Sequence, residues 1–269
     1  MRIQLLLLAL SILCGCSGRP PAPVNNYGGN GGSSSYNTPE NRPPLPGKHS
    51  RNDNGQNRPP LPGKGGSTSS SKVKAEVGSG SSGKLSGQEI FRKCNTAVFM
   101  VFTSTGLQGF QGSGFFVSPD GLAVSNYHVF EGTGMGLEVI KTSNDRQYKI
   151  DQVIFKDKEN DVMVFTVKAT VGTKFNYIPI SSHNPQVGEK VYAIGSPLGL
   201  ENTFSSGEIS QFREKGNVIQ ISVPIDHGSS GGALINEFGE AIGITSGGFD
   251  NSGANLNFAV NINVIKNRI

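Results

Sequence analysis

The sequence predicts an all-β fold of two six-stranded antiparallel β-barrels in its C-terminal part. From residue 97 to residue 260, about eleven or twelve short apolar runs follow one another, each bounded by Gly, Pro, Asn, Asp or Ser. Runs at this spacing, separated by turn residues, are typical of strands in sandwiches and barrels. No long amphipathic helix interrupts the series. Two small barrels therefore account for the whole segment.

The individual elements follow from these runs and from one capping signal. Ser86 and Glu89 have the spacing of a capping box, which predicts a short helix over 86–93. A second short helix is predicted over 261–269. Strands are predicted at 97–102, 114–117, 121–124, 137–140, 148–153, 161–167, 190–194, 208–212, 218–223, 241–245 and 257–260.

Composition divides the 269 residues into three regions. Residues 1–15 are predicted to be a signal peptide, 16–87 a disordered tether rich in Pro, Gly and Ser, and 88–269 the globular domain. The net charge of +4 comes from outside the domain, which holds 14 basic and 17 acidic residues. This acidic balance argues against nucleic-acid binding. The basic tether is interpreted as a solvated linker, with attraction to an anionic surface as the alternative.

The N-terminus has the pattern of an export signal. Its apolar run, Leu5–Leu13, is too short to span a bilayer as a stable helix. Cys16 follows Gly15 as in the bacterial lipobox, which predicts lipidation of Cys16 and anchoring to the membrane of the bacterial cell envelope. Ser17 after the cysteine indicates the outer membrane, facing the periplasm. An ordinary cleaved signal peptide remains the alternative.

The tether contains an exact repeat. Residues Asn41–Lys48 read Asn-Arg-Pro-Pro-Leu-Pro-Gly-Lys and recur unchanged at Asn57–Lys64. Pro-Pro-x-Pro favours extended polyproline II. The repeat is interpreted as a duplicated spacer, and a ligand for a groove-binding partner is the alternative.

One cysteine, Cys94, lies in the domain. An exported domain with a single cysteine forms no internal disulfide, so its stability depends on its core. We expect Cys94 to be a buried structural thiol rather than a nucleophile.

A candidate catalytic set is spread over the two halves of the strand series. The turn in 226–234 presents Ser230 between glycines, which admit a substrate and free N–H groups for a developing oxyanion. His128 follows one strand, and Asp161 begins an apolar one. The order His, Asp, Ser is that of the chymotrypsin class. His128 and Asp161 lie in the first half of the strand series, and Ser230 lies in the second half. We therefore expect the site in the cleft between the two barrels.

Several ordered blocks then resemble HtrA/Deg-type trypsin-like serine proteases. They are Gly112–Val117, Leu122–Phe130, Asn160–Val164, Ala193–Leu200, Ser206–Ser210 and Gly228–Leu234. The last block reads Gly-Ser-Ser-Gly-Gly-Ala-Leu, and the family has Gly-Asn-Ser-Gly-Gly-Ala-Leu. The resemblance covers residues 96–262 and implies a chymotrypsin-like fold. Since the sequence ends at Ile269, we expect a lipoprotein form without the PDZ domain that most characterised relatives carry.

The resemblance implies a role for each matching residue. Ser230 is the nucleophile, His128 the general base and then the general acid, and Asp161 orients it. The backbone N–H groups of Gly228 and Ser230 form the oxyanion hole. The remaining implied site residues line the substrate groove, where the peptide pairs as an added strand. They are Ser246, Gly247 and Gly248.

Specificity is expected from the residues just before the nucleophile. Pro224 lies six residues before Ser230, where a basic-specific relative carries Asp. Together with Ile225 and Gly248 it implies an apolar, medium-sized pocket, and hence cleavage after Val, Ala or Ile. Ser229 replaces the Asp of zymogen-type relatives, which disfavours activation by N-terminal trimming.

The function expected from all this is serine endopeptidase activity on exported or misfolded proteins, with polypeptides as substrates. No phosphate loop, zinc-spacing motif or calcium loop is visible, so no cofactor is expected. The resemblance also makes a homotrimer a candidate assembly. Two alternatives remain open, namely a catalytically silent chaperone-like or binding module, and a surface adhesin with a vestigial barrel.

Overall fold

A computed structural model describes residues 74–78, 83–134, 136–196, 202–249 and 256–269. The predicted signal peptide, the lipidation site Cys16 and the repeat lie outside the described residues. Within the described ranges the chain forms thirteen β-strands and two α-helices. They are α1 (Gly87–Cys94), β1 (Val98–Ser104), β2 (Gly109–Phe116), β3 (Leu122–Ser125), β4 (Val139–Thr142), β5 (Gln147–Tyr148), β6 (Ile150–Asp157), β7 (Val162–Val167), β8 (Lys190–Gly195), β9 (Thr203–Arg213), β10 (Val218–Ile221), β11 (Ala233–Asn236), β12 (Ala241–Phe249), β13 (Leu256–Asn261) and α2 (Asn263–Lys266).

The strands form two antiparallel units, which confirms the all-β prediction. The second unit is a closed six-stranded barrel in the order β10-β13-β12-β11-β8-β9. The first is a curled sheet of seven strands in the order β5-β4-β1-β2-β3-β7-β6. Its extra strand arises at Lys149, between β5 and β6. Strand β5 pairs with β4 at one end of the sheet, and β6 pairs with β7 at the other end. The chain from 147 to 157 therefore connects the two ends of the sheet.

Alternation along the strands divides the core into three clusters. On β7, Val162 and Val164 pack between the two units, whereas Met163 and Phe165 pack inside the first unit. All six residues of β7 are buried, since both faces of this strand are covered. A third cluster, which includes Ile219 of β10, fills the second barrel. The run of four apolar residues from Val162 to Phe165 thus follows from the position of β7 between two cores.

Helix α1 begins as predicted. The Ser86 hydroxyl accepts from the Glu89 N–H, and the Glu89 carboxylate accepts from the Ser86 N–H, which completes the capping box. At the other end of the helix, Cys94 is a free, fully buried cysteine. Burial raises the pKa of its thiol to about 11, so it stays protonated at neutral pH. The prediction of a structural thiol is confirmed.

The folded part begins before the boundary predicted at residue 88. The N–H of Glu76 donates to the carbonyl of Val117 (2.9 Å), and the carbonyl of Glu76 accepts from Ile180 (2.8 Å). The N–H of Leu85 donates to Glu237 (2.7 Å). These contacts pair residues assigned to the tether with both units. No helix among the described residues is long and apolar enough to cross a membrane.

Candidate active site

The fold brings His128 and Asp161 together at the ends of two neighbouring strands of the first sheet. Strands β3 and β7 are antiparallel neighbours, with Ser125 opposite Met163. His128 opens a 3₁₀ turn three residues after β3 ends, and Asp161 directly precedes β7. The end of one strand and the start of its antiparallel neighbour coincide in space. The two side chains therefore meet although 33 positions separate them.

The His128 and Asp161 groups are joined by two hydrogen bonds. Nδ1 of His128 lies 2.8 Å from Oδ2 of Asp161, and the backbone N–H of His128 donates to Oδ1 (2.9 Å). Because an ionised carboxylate only accepts, Nδ1 carries the proton and Nε2 keeps its lone pair for a proton from elsewhere. The arrangement fixes both the tautomer and the orientation of the ring.

Asp161 is buried and held by other elements as well. Its side chain is 4% exposed, against 28% for His128. The Ser246 hydroxyl donates to Oδ2 (2.9 Å), and the Asn126 amide donates to the Asp161 carbonyl (2.9 Å). Its φ of 55° lies in the left-handed region, which aspartate adopts more readily than most residues. The surrounding hydrogen bonds hold this uncommon backbone in place.

Two opposing effects act on the pKa of His128. Burial lowers the pKa, whereas the charge of Asp161, its hydrogen bond and the more distant charge of Glu131 raise it. The acidic groups prevail, and the pKa of His128 is raised above its ordinary value. The imidazolium form of His128 is thus stabilised.

The turn before Ser230 is closed by a backbone hydrogen bond and has the geometry of a type II turn. The N–H of Ser229 donates to the carbonyl of Asp226 (3.0 Å), which closes a four-residue turn. Gly228, at its third position, has a φ of 93°, while His227 is not among the non-glycine residues with positive φ. A positive φ at the third position alone defines a type II turn. In that turn type the peptide between His227 and Gly228 is rotated by half a turn relative to type I.

The Ser230 hydroxyl donates to the carbonyl of Ser246 (3.2 Å). Among the described residues no hydrogen bond joins it to His128. Ser246 links Ser230 to Asp161, because its carbonyl accepts from the Ser230 hydroxyl and its own hydroxyl donates to Asp161, the partner of His128. Attack on a substrate would require the Ser230 side chain to turn from Ser246 towards Nε2 of His128.

Comparison with known proteins decides the family. Residues 112–244 match the family described as trypsin-like peptidase domain. A probable periplasmic serine endoprotease DegP-like of Halomonas elongata is 37% identical over 167 residues, covering 57% of this chain and 33% of that protein. A probable serine protease do-like of Buchnera aphidicola is 36% identical over 167 residues, covering 58% and 34%. The crystal structure of the serine endoprotease from Yersinia pestis superimposes with a TM-score of 0.60 at 27% identity, covering 69% of this chain and 66% of that one.

The chain contains a trypsin-like peptidase domain. The resemblance to HtrA/Deg-type serine proteases predicted from the ordered blocks is thereby confirmed, as is the chymotrypsin-like architecture. The chain spans about a third of the length of these two curated relatives.

The sequence analysis did not identify Ser113, which holds the turn that contains Ser230. Ser113 of β2 is fully buried, and its hydrogen bonds connect the two units. Its N–H donates to the Ser230 carbonyl (2.7 Å), and its hydroxyl donates to the Gly228 carbonyl (2.7 Å) while accepting from the Ser196 N–H (2.9 Å). The Gly-Ser-Gly sequence around it was the available signal, but that sequence gives no indication of a contact across 115 positions.

The residues expected to select the substrate are divided between two cavities. Pro224 and Ile225 line a cavity of about 80 Å³ together with Ser229 and Thr245. Ser246 instead lines a cavity of about 360 Å³ beside Asp161.

The chain that the structure describes contains two further histidines, His183 and His227. His183 is half exposed and bonds Glu189 through Nε2 (2.9 Å). His227 occupies the second position of the turn from Asp226 to Ser229. No group of three or more His, Cys, Asp or Glu side chains suited to a metal ion occurs in the part of the chain that the structure describes.

Gly231 follows Ser230 and lies against the backbone of β2, so alanine there is expected to disrupt the site. A Cβ on Gly231 would lie 2.0 Å from the Ser113 carbonyl oxygen, and its φ is 91°. Gly172 has a similar φ of 86° but nothing within 4 Å of its Cβ position. Gly172→Ala therefore measures the backbone strain alone, about 1–2 kcal/mol.

Gly231→Ala adds a steric clash to that strain and is expected to cost about 2–5 kcal/mol in all. Displacement of Ser230 by about 1 Å would also lower kcat on the order of 100-fold. Urea unfolding and peptide hydrolysis measure the two effects. Equal losses of stability in the Gly231 and Gly172 variants would show that the contact with Ser113 is not tight.

Proposed function

We propose that the chain is a serine endopeptidase that uses Ser230, His128 and Asp161. The observation that carries the proposal is the double hydrogen bond between His128 and Asp161, which leaves Nε2 ready to accept a proton. The Ser230 hydroxyl gives its proton to Nε2 as Oγ bonds the scissile carbonyl carbon. His128 then returns the proton to the departing amine as the C–N bond breaks. Water, activated in the same way, hydrolyses the acyl-enzyme.

The oxyanion of each tetrahedral intermediate would be bound by backbone N–H groups of Gly228 and Ser230. The type II turn supports this assignment, because it directs the Gly228 N–H opposite to its direction in a type I turn. Removal of one such donor typically costs about 3–4 kcal/mol in kcat. The hydrogen bonds from Ser113 to Gly228 and Ser230 would keep both donors fixed before the substrate arrives.

The substrate would bind as an added strand along Ser246–Gly248. On one side Gly247 and Gly248 pair with β13, opposite Phe258 and Asn257. On the other side, pairing of β12 with β11 includes Ile244 but not the residues after it. That free edge offers N–H and C=O groups to an extended peptide. We further propose that Pro224 and Ile225 favour a small aliphatic residue, Val, Ala or Ile, before the scissile bond.

The setting is proposed to be the bacterial cell envelope. The name of the Halomonas relative, a periplasmic endoprotease, supports this location and polypeptide substrates. A lipid on Cys16, the outer membrane as its site, a tether that begins at Cys16 and ends before Glu76, a homotrimer, and exported or misfolded proteins as substrates belong to the same proposal. They rest on the sequence alone.

The proposal is tested by incubating the purified chain with an unfolded protein and mapping the new termini by mass spectrometry. We expect cleavage mainly after Val, Ala and Ile. A dominant preference for Arg or Lys would contradict the apolar pocket. Absence of any cleavage, with the protein folded by circular dichroism, would contradict the peptidase activity.

A catalytically silent binding module is the second candidate. The hydrogen bond from Ser230 to Ser246 favours it, because the nucleophile is then turned away from its base. Such a module would bind unfolded polypeptide without producing new termini, so the same experiment separates the two functions.

A further inference from the structure

Residues 74–78, called the strap below, lie outside the strands of both units. Val77 forms a parallel β-bridge to Ile180, and Ile180 forms a second parallel bridge to Ala241, the first residue of β12. Ile180 belongs to the connection between the two units, which joins β7 to β8. The strap, this connection and the start of β12 therefore run side by side.

Among the described residues, three backbone hydrogen bonds hold the strap. The N–H of Glu76 donates to the carbonyl of Val117, directly after β2 (2.9 Å). The N–H of Ile180 donates to the carbonyl of Glu76 (2.8 Å), and the N–H of Gly78 donates to the carbonyl of Ile180 (2.8 Å). Ala75 packs against the buried cluster between the units, which includes Val117 and Ile180. The strap thus ties the end of β2 to the connection between the units.

The same connection bonds β2 on one side and β12 on the other. The N–H of Ile178 donates to the carbonyl of Phe116, the last residue of β2 (2.9 Å). The N–H of Ser181 donates to the carbonyl of Ala241 (2.9 Å). Together with the bonds of the strap, these bonds fix the position of β2 relative to β12.

The proposed active site lies further along the same two strands. Ser113 of β2 donates to the Ser230 carbonyl, and Ser246 of β12 accepts from the Ser230 hydroxyl. Ser113 precedes Val117 by four positions, and Ser246 follows Ala241 by five. At about 3.3 Å per residue, roughly 13–17 Å of strand separate these contacts from the strap. Because packed strands are stiff, a shift at the strap also displaces the strands at the site.

The strap is held less firmly than the barrels. The side chains of Lys74, Glu76 and Val77 are exposed, and within the strap only Ala75 packs against a buried cluster. Segments with few buried apolar contacts open at a lower free energy than the core. The strap can therefore detach while both barrels remain folded.

We propose that the strap is a positioning segment for the active site. It holds β2 and β12 where Ser113 and Ser246 place the turn that contains Ser230, so its release lowers kcat. This role rests on the proposed peptidase function, because kcat is the quantity that the strap controls. The strap contributes no group to the site and acts through the two strands.

The test removes one hydrogen bond of the strap in the full chain. Glu76→Pro deletes the N–H that donates to Val117 and leaves the carbonyl of position 76 in place. We expect kcat to fall about 10-fold or more and KM to change less than about three-fold, because a displaced nucleophile weakens transition-state contacts more than substrate binding. Peptide hydrolysis is measured under conditions in which circular dichroism shows the variant to be folded.

Amide hydrogen exchange gives a second readout, which does not depend on activity. The N–H of Ser113 donates to the Ser230 carbonyl across the two units (2.7 Å). In Glu76→Pro this N–H should exchange at least about 10-fold faster than in the native chain, because the contact between the units opens more often.

Two variants serve as matched controls. Glu76→Ala removes the exposed side chain and keeps the N–H. Val77→Pro places proline at the neighbouring position, whose N–H makes no hydrogen bond to another described residue. Both variants should keep the native kcat and the native exchange rate of the Ser113 N–H.

The outcomes separate the positioning role from the peptidase function. A native kcat or a native exchange rate of Ser113 in folded Glu76→Pro overturns the positioning role and leaves the peptidase function standing. Absence of cleavage by the folded native chain overturns the peptidase function, and the exchange rate of Ser113 still shows whether the strap positions the two strands. If Glu76→Pro is unfolded, Gly78→Pro removes the bond to Ile180 instead, and its kcat and exchange rate decide.

Discussion

Replacement of Ser230 by alanine is expected to lower kcat by about a million-fold, because it removes the atom that bonds the substrate. A fluorophosphonate probe should label the native chain once and the Ser230→Ala variant not at all. The residual rate of the variant comes from the oxyanion turn and substrate binding, which remain intact. Single-turnover peptide hydrolysis and mass spectrometry of the labelled protein measure the two effects.

The adjacent serine provides the control for this variant. Ser229→Ala keeps the N–H that donates to Asp226, and with it the type II turn. We expect this variant to be labelled and to cleave peptides at a rate within a few-fold of the native chain. A label on Ser229, or loss of labelling in the Ser229 variant alone, would show that the nucleophile was assigned to the wrong serine.

The sequence predicted the parts of this molecule that depend on local pattern. Strand β7 was predicted from its apolar run, and α1 from the spacing of Ser86 and Glu89. The family followed from ordered blocks. Such signals are short-range, because turn chemistry, capping and alternation act over a few residues.

The parts that the sequence did not predict depend on contacts between distant residues. Ser113 and Gly228 lie 115 positions apart and meet only when the two units close on each other. The pairing of Glu76 with Val117 and Ile180 is likewise non-local, and the Gly/Ser-rich composition around it concealed it. The orientation of the Ser230 hydroxyl towards Ser246 is a rotamer choice, which no sequence pattern encodes.

Replacement of Asp161 by asparagine is expected to lower kcat about 10,000-fold while leaving the fold in place. Asparagine tolerates the left-handed backbone of Asp161 as well as aspartate does, so the turn before β7 is kept. Its amide would donate to Nδ1 of His128, which moves the ring proton to Nε2. A protonated Nε2 cannot take the proton of Ser230. Because the two neutral tautomers hold the same number of protons, a loss of kcat that persists across the pH range above the acid limb would agree with this change of tautomer.

The same variant tests the cause of the raised pKa of His128. In the native chain the acid limb of kcat/KM should have its midpoint above about 6.5, the ordinary pKa of histidine, because activity needs the neutral ring. In Asp161→Asn, burial still lowers the pKa of His128, but Asp161 no longer raises it. The pKa of His128 should therefore fall, and the midpoint of the acid limb should move to lower pH. NMR titration of the His128 ring measures this shift directly.

Glu131→Gln removes only the weakest of the acidic influences and should shift the pKa of His128 in the same direction by less. A midpoint that stays in place in Asp161→Asn would mean that Asp161 positions the ring without stabilising its charge.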